Sequence, residues 1–268
     1  RAYVGGTSGL IYGYVNDGFY TVADFESFDS KSRTWKLKEG VVDSSPLSDT
    51  PRPGNAKFKK LTPVDPNSTN PYQLTEADRT VIGNTTPKFS GGFGLNATYK
   101  GFDMSMFFNF MYDFDVLNAN KIMLTTWADN KENNFLMDIA SDKRWRNFDD
   151  MGNEIRYSPE VLAEFNKNAT MWNPTSIGRP ICMSYAVEDG SFLRLNSATL
   201  GYTLPSVWTK KVGLSKVRFY VSGNNLFTLT GYSGYDPEVN IATGLTPNID
   251  YNRYPRSRTY TFGAQLTF

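Results

Sequence analysis

The side chains that could do chemistry here are few in kind. The chain has no histidine and one cysteine, Cys182. The commonest general base and metal ligand is therefore missing, and a multi-Cys metal site and an intrachain disulfide are excluded. No nucleophile stands beside an evident base, and no carboxylate pair is singled out for glycoside hydrolysis, so the chain does not read as an enzyme and implies no cofactor. What remains is recognition chemistry. Trp127, Trp145, Trp172, Tyr232 and Tyr235 could stack on sugar rings or pack a peptide; the plainer reading is that they fold loops onto each other or onto a partner. Arg144, Arg146, Asp149 and Asp150 could grip a polar ligand or form exposed salt bridges of little energetic weight. Asp113-x-Asp115 could hold calcium or simply be a solvated loop base. Glu188-Asp-Gly reads as a turn, and Cys182 as a buried or incidental thiol.

The elements that must carry these loops are strands. Of 268 residues, 15% are aromatic, and the formal net charge of +1 gives no reason to expect nucleic acid or another polyanion. Mean hydropathy is −0.44. No run reaches the roughly 20 apolar residues of a membrane helix, a test that says nothing of strands, since only alternate residues of a barrel strand meet lipid. Thr259 to Phe268 alternates without a slip. Tyr260, Phe262, Ala264, Leu266 and Phe268 lie on one face; Thr259, Thr261, Gly263, Gln265 and Thr267 lie on the other.

The same alternation recurs near 88–100 and 102–113, joined by Lys100-Gly101, and near 192–204 and 217–227. A weaker strand is expected near 9–15. Within 192–204 the parity slips, because Leu193 and Leu195 fall out of phase with Ala198, Leu200, Tyr202 and Leu204; a bulge near Asn196 would explain it. Between strands, the segments 17–86, 114–191 and 228–256 are long, whereas Lys100-Gly101 and 205–216 are short. Outer-membrane barrels show this asymmetry, with short periplasmic turns and long extracellular loops. Irregular stretches this long are unusual in a compact soluble domain. A soluble or surface-exposed glycan-binding β-sandwich with insertions is the rival architecture. One helix is expected in the loops: Ser158 as N-cap, Pro159 in first position, and Val161, Leu162 and Phe165 on one face.

Four segments together resemble the C-terminal part of the SusC/RagA family of TonB-linked outer-membrane transporters of Bacteroidetes. They are Asp78-Arg-Thr-Val-Ile-Gly-Asn84 with the hairpin that follows, Glu188 to Pro205, Val217 to Phe227 with Gly234-Tyr-Asp-Pro-Glu238, and Tyr254 to Phe268. The resemblance implies an all-β fold: about the last six strands of a large plugged antiparallel transmembrane barrel, with long extracellular loops. Six strands cannot close a barrel, and open edges are not viable in lipid. Signal peptide, N-terminal extension and plug are not visible, so the chain is read as a C-terminal piece. The resemblance further implies TonB-dependent import of an oligosaccharide or oligopeptide with a SusD-like surface lipoprotein, TonB acting through the missing plug. Tyr260, Phe262, Leu266 and Phe268 would form the C-terminal signal read by the barrel-assembly machinery. A barrel retained as a structural or secretion-associated subunit is the other alternative. The family's calcium-like loop reads Pro63-Val-Asp-Pro-Asn-Ser-Thr-Asn-Pro71 here, without its glycine, so no metal is expected there.

Overall fold

In a computed structural model, residues 7–126, 135–239 and 247–268 are described. The chain divides into two compact units. One comprises chiefly 10–83 and 117–187, the other chiefly 84–116 and 188–268.

The second unit is built on five strands: β1 Phe89–Tyr99, β2 Phe102–Tyr112, β3 Phe192–Thr203, β4 Lys216–Thr230 and β5 Thr259–Thr267. They form one antiparallel sheet in which each strand neighbours its predecessor. This up-and-down order needs only hairpin connections. Between β1 and β2 the turn is two residues, Lys100 (φ 46°) and Gly101 (φ 85°). Positive φ at both central positions is the twist-matched hairpin turn, and Gly101 meets it without a Cβ penalty.

Register explains the parity slip. Leu195 pairs with Phe108 and Phe227, whereas Ser197 pairs with Phe107 and Asn224. Between those pairs β3 has one residue, Asn196, β2 has none and β4 has two. One of the two, Asn225, is left-handed at φ 53°. This bulge moves Leu193 and Leu195 onto the face that carries Ala198, Leu200 and Tyr202, so one apolar face survives along the whole strand.

The strand expected near 9–15 departs from this sheet. Leu10–Gly13 pairs instead with Thr80–Asn84 in a two-stranded ladder. Ile11 is buried there, and Tyr14 N–H donates to the Cys182 carbonyl at 3.0 Å. Four residues cannot span a bilayer, which takes about 9–11. Their alternation reflects burial in a compact unit.

In that first unit the long segments are not bare loops. Tyr14, Phe58, Leu74, Ile139, Trp172, Ile177 and Met183 belong to one buried cluster. Trp145, Ile155 and Leu162 form a second, with Phe19 and Trp35 against it. Backbone groups are satisfied by short ladders, Asn16–Phe19 with Ala56–Phe58 and Phe25–Asp29 with Thr34–Leu37, and by isolated bridges such as Tyr14 with Met183. The Tyr20 hydroxyl donates within reach of Ser44 Oγ (2.8 Å) and the Val42 carbonyl (2.5 Å). Burial pushes its pKa up to about 12. The helix expected after Ser158 runs Pro159–Phe165 with Leu162 buried. Val161 is exposed, because adjacent helical residues point about 100° apart, and Ser158 makes no side-chain cap bond.

Candidate functional site

The sheet has two unlike faces. One carries the rows Tyr99, Phe102, Tyr202 and Phe219, then Met104, Leu200, Val221 and Phe262, aligned by register. Many of these side chains lie open: Phe262 is 80% exposed, and Tyr99, Phe102, Leu200, Phe219, Tyr260 and Leu266 are all exposed. Phe268, beyond the last strand residue, is 90% exposed. Contiguous apolar surface of this kind marks an interaction face, and a sandwich would cover it with a second sheet. The short connection after β3 adds exposed Val207, Trp208 and Val212.

The opposite face is polar. Arg218 on β4 reaches across β3 to Asp103 on β2, with Nε to Oδ1 at 2.9 Å and a second, parallel bond to Oδ2. It passes over Gly201. A Cβ at Gly201 would lie 2.4 Å from the Arg218 guanidinium and 2.6 Å from Asp103 Oδ1. The glycine thus leaves room for a salt bridge that spans three strands. Gly201→Ala is expected to push the pair aside at small cost, because the atoms in its way are the ends of flexible side chains. The check is the urea-unfolding midpoint of the vesicle-reconstituted receptor. With Asp103→Ala already present, the added cost of Gly201→Ala should fall.

Higher on the same face Arg194 is buried. It pairs with Asp236, approaches Glu238 (3.7 Å), and Arg256 bonds the other Glu238 oxygen at 2.7 Å. Burial opposes charge on Asp236, but the Arg194 guanidinium and the Glu238 N–H hold its carboxyl below the usual range. Tyr232 is buried beside it in sequence and donates to Asp250 at 2.7 Å. Glu188 accepts from Ser233 N and Oγ, and Asp189 accepts from Ser191, so the predicted turn is fixed by carboxylates.

The aromatics singled out as ligand contacts separate sharply. Trp172 (1% exposed), Trp145 (3%) and Tyr232 lie in cores, where their rings are covered by protein. The structure thus places these three in the plainer of the two roles, each burying its ring in the core of its own unit. Tyr235, 84% exposed, keeps an open ring. Trp127 lies outside the described residues. Of the charged group, Arg146 pairs with Asp150 at 2.6 Å. Asp149 is held below the usual carboxylate range by its bonds to Asn153 and the following backbone. Asp113 pairs with Lys88, and Asp115 accepts from Asn84 N at 2.7 Å. Burial pushes the Cys182 thiol up, away from a reactive thiolate.

Arg144, Arg146 and Asp149, which the sequence singles out as able to grip a polar ligand, line a cleft of the first unit together with Trp145. A cavity of about 350 Å³ is lined by Arg144, Arg146, Asn147, Phe148, Arg156 and Asn173, among others. A smaller one, about 60 Å³, adds Trp35, Arg52 and Tyr157 and shares the wall Asn147, Arg156 and Thr175. Gly54 packs against Trp145, which lines the larger cavity: a Cβ there would meet the Trp145 ring at 2.2 Å. The smaller cavity draws its walls from segments as far apart as Trp35 and Ser176, which no signal at fixed spacing links.

No family model matches the chain. It is 33% identical over 266 residues to TonB-dependent receptor P3 of Formosa agariphila, covering 97% of this chain and 22% of that protein. It is 38% identical over 88 residues to the TonB-dependent receptor SusC of Bacteroides thetaiotaomicron, covering 31% of this chain and 8% of SusC. The RagAB peptide transporter superposes with a TM-score of 0.57 at 22% identity, covering 98% of this chain and 23% of the solved chain. The fold is therefore shared, and this chain spans about a fifth of the length of the full-length proteins that it matches end to end. These names are of receptors and a transporter, in agreement with the non-enzymatic reading. The chain is SusC/RagA-like, the counterpart of about a fifth of a TonB-dependent receptor.

Proposed function

We propose that this chain supplies barrel wall and ligand-facing loops to an outer-membrane importer that is driven by TonB and works with a SusD-like lipoprotein. The observation that carries this is the five-stranded antiparallel sheet with one exposed aromatic face and one polar face. In a closed barrel the aromatic face would meet lipid and the polar face the lumen. The hairpin end with Phe268 would be periplasmic, and the long loops would be extracellular. Tyr260, Phe262, Leu266 and Phe268 would then serve barrel assembly as well as the lipid face.

Uptake is the test. In cells that express the full-length receptor, loss of TonB or of the SusD-like partner should abolish accumulation of the imported ligand. Accumulation independent of both sinks the reading. Leu200→Lys places a charge on the exposed apolar face and should cost roughly 2–4 kcal/mol of membrane insertion if it sits near the midplane. It is read as loss of heat-modifiable, folded receptor from the outer-membrane fraction. Normal amounts of folded variant would argue that this face does not meet lipid.

A further inference from the structure

We propose that the connection between β3 and β4, with the Lys100-Gly101 turn at the same end of the sheet, is a docking surface for an anionic glycerophospholipid; its place at a membrane rests on the reading above that the aromatic face meets lipid. The connection is a helical turn, Ser206–Thr209 continued by Lys210–Val212 and ended by Gly213 at φ 77°. Thr209 is its buried residue, and Val207, Trp208 and Val212 are left 61–71% exposed. A folded turn that holds an indole and two valines in the open gains by placing them in a membrane interface. The turn begins just beyond Tyr202. That residue belongs to the end row of the apolar sheet face, Tyr99, Phe102, Tyr202 and Phe219. Lipid that covers this row therefore reaches the turn as well.

Charge selects the occupant. The turns and strand ends at this edge, 96–104, 200–218 and 263–268, carry Lys100, Lys210, Lys211, Lys216 and Arg218 against one side-chain acid, Asp103. Asp103 is already taken by the two parallel bonds from Arg218. The lysines are thus in excess, and a carboxylate at Phe268 would not cancel them. All four are exposed, and none forms an ion pair among the described residues. Against the hairpin turn, an open concavity of about 330 Å³ is lined by Thr98, Tyr99, Lys100, Phe102, Asp103 and Thr203. It offers an ammonium and two hydroxyls to phosphate oxygens. One amphiphile satisfies both sets of groups: its phosphate takes the ammonium groups, and its acyl chains take Trp208 and the two valines.

The test is native mass spectrometry of the full-length receptor, extracted in detergent, delipidated and titrated with phosphatidylglycerol, phosphatidylcholine, lipid A or an oligoglutamate peptide. The wild type should hold phosphatidylglycerol in preference to phosphatidylcholine, and the preference should shrink as salt rises. Lys210→Gln with Lys211→Gln should weaken the first bound phosphatidylglycerol about tenfold and leave phosphatidylcholine unchanged. Lys210→Arg with Lys211→Arg should bind as wild type. Trp208→Ser should weaken both phospholipids alike. Lys31→Gln with Lys38→Gln, at two exposed lysines of the first unit, should change neither. Heat-modifiable mobility shows that each variant is folded. The proposal is overturned if the wild type holds both phospholipids equally, or if lipid A or oligoglutamate binds more tightly than phosphatidylglycerol. It is also overturned if the Lys210→Gln, Lys211→Gln variant binds as wild type, or if the first-unit variant loses as much. A receptor without the lipid preference that still imports through TonB loses this inference alone. One that prefers phosphatidylglycerol but does not import loses only the import reading.

Discussion

Arg194→Ala is expected to destabilise the second unit by about 3–5 kcal/mol, the cost of removing one partner from a buried ion pair. The guanidinium is 3% exposed and its partner Asp236 is 9% exposed, so neither charge has water to fall back on. Asp236 also accepts from Glu238 N at 2.9 Å, and Glu238 ties in Arg256 just ahead of β5. One arginine on β3 thereby fixes the segment after β4 and the approach to the last strand. Without it, Asp236 must either protonate or turn outward and take Glu238 along. Arg194→Met with Asp236→Leu and Glu238→Leu should recover part of the loss, because replacing a buried ion network by apolar groups is often neutral. Urea unfolding of reconstituted receptor measures both. Protection of backbone amides in 231–239 should collapse in the single variant and return in the triple. A single variant within about 1 kcal/mol of wild type would place the pair in solvent. The pH dependence has a defined sign. The folded-state pKa of Asp236 is depressed, so its contribution is present above the unfolded value near 3.9 and is lost as pH falls below it.

Sequence legibility follows from how far apart the relevant contacts lie. The five strands are written in period two because each face meets a different surroundings, and even the bulge at Asn196 is visible as a parity slip between Leu195 and Ser197. The first unit carries no such period. Its contacts join Tyr14 to Met183, and Asn16 N to Ser184 Oγ across 168 positions, and no local pattern encodes those pairings. The same physics hid part of the cleft: Arg144, Arg146 and Asp149 stand together in the sequence, whereas Trp35 and Arg52 join the wall from a separate segment. Composition alone could not divide the loop aromatics. Trp145 is covered while Tyr235 is open, and both sit amid polar neighbours in sequence. The strand expected near 9–15 is present at Leu10–Gly13 but lies outside the five-stranded sheet for a related reason: alternation over four residues reports one covered side, whether lipid or protein covers it.

Asp78→Ala carries the second large effect, again about 3–5 kcal/mol, now in the first unit. The carboxylate is fully buried. One oxygen accepts from Leu61 N (2.9 Å), Thr62 N (2.8 Å) and Thr62 Oγ1 (2.7 Å). The other accepts from Thr75 N (2.8 Å) and Thr75 Oγ1 (3.1 Å), with Lys60 Nζ at 3.6 Å. Burial alone would raise its pKa; the bonds from Thr62, Thr75 and Leu61 outweigh that and hold it well below the usual carboxylate range. Two backbone segments, 61–62 and 75–78, are therefore closed through one side chain, and alanine leaves three backbone donors without an acceptor. Asp78→Asn keeps the shape but turns an N–H₂ toward donors, so it should recover little. Because the folded pKa is depressed, the stabilisation is full above the unfolded value near 3.9 and declines as pH drops below it. Wild-type protease resistance of the first unit should thus hold from pH 7 to about 5 and fall below about 4. In Asp78→Asn the resistance should start lower and show a shallower fall. An Asp78→Asn variant with wild-type resistance at pH 7 would mean that the 61–62 and 75–78 segments are held by something other than this carboxylate.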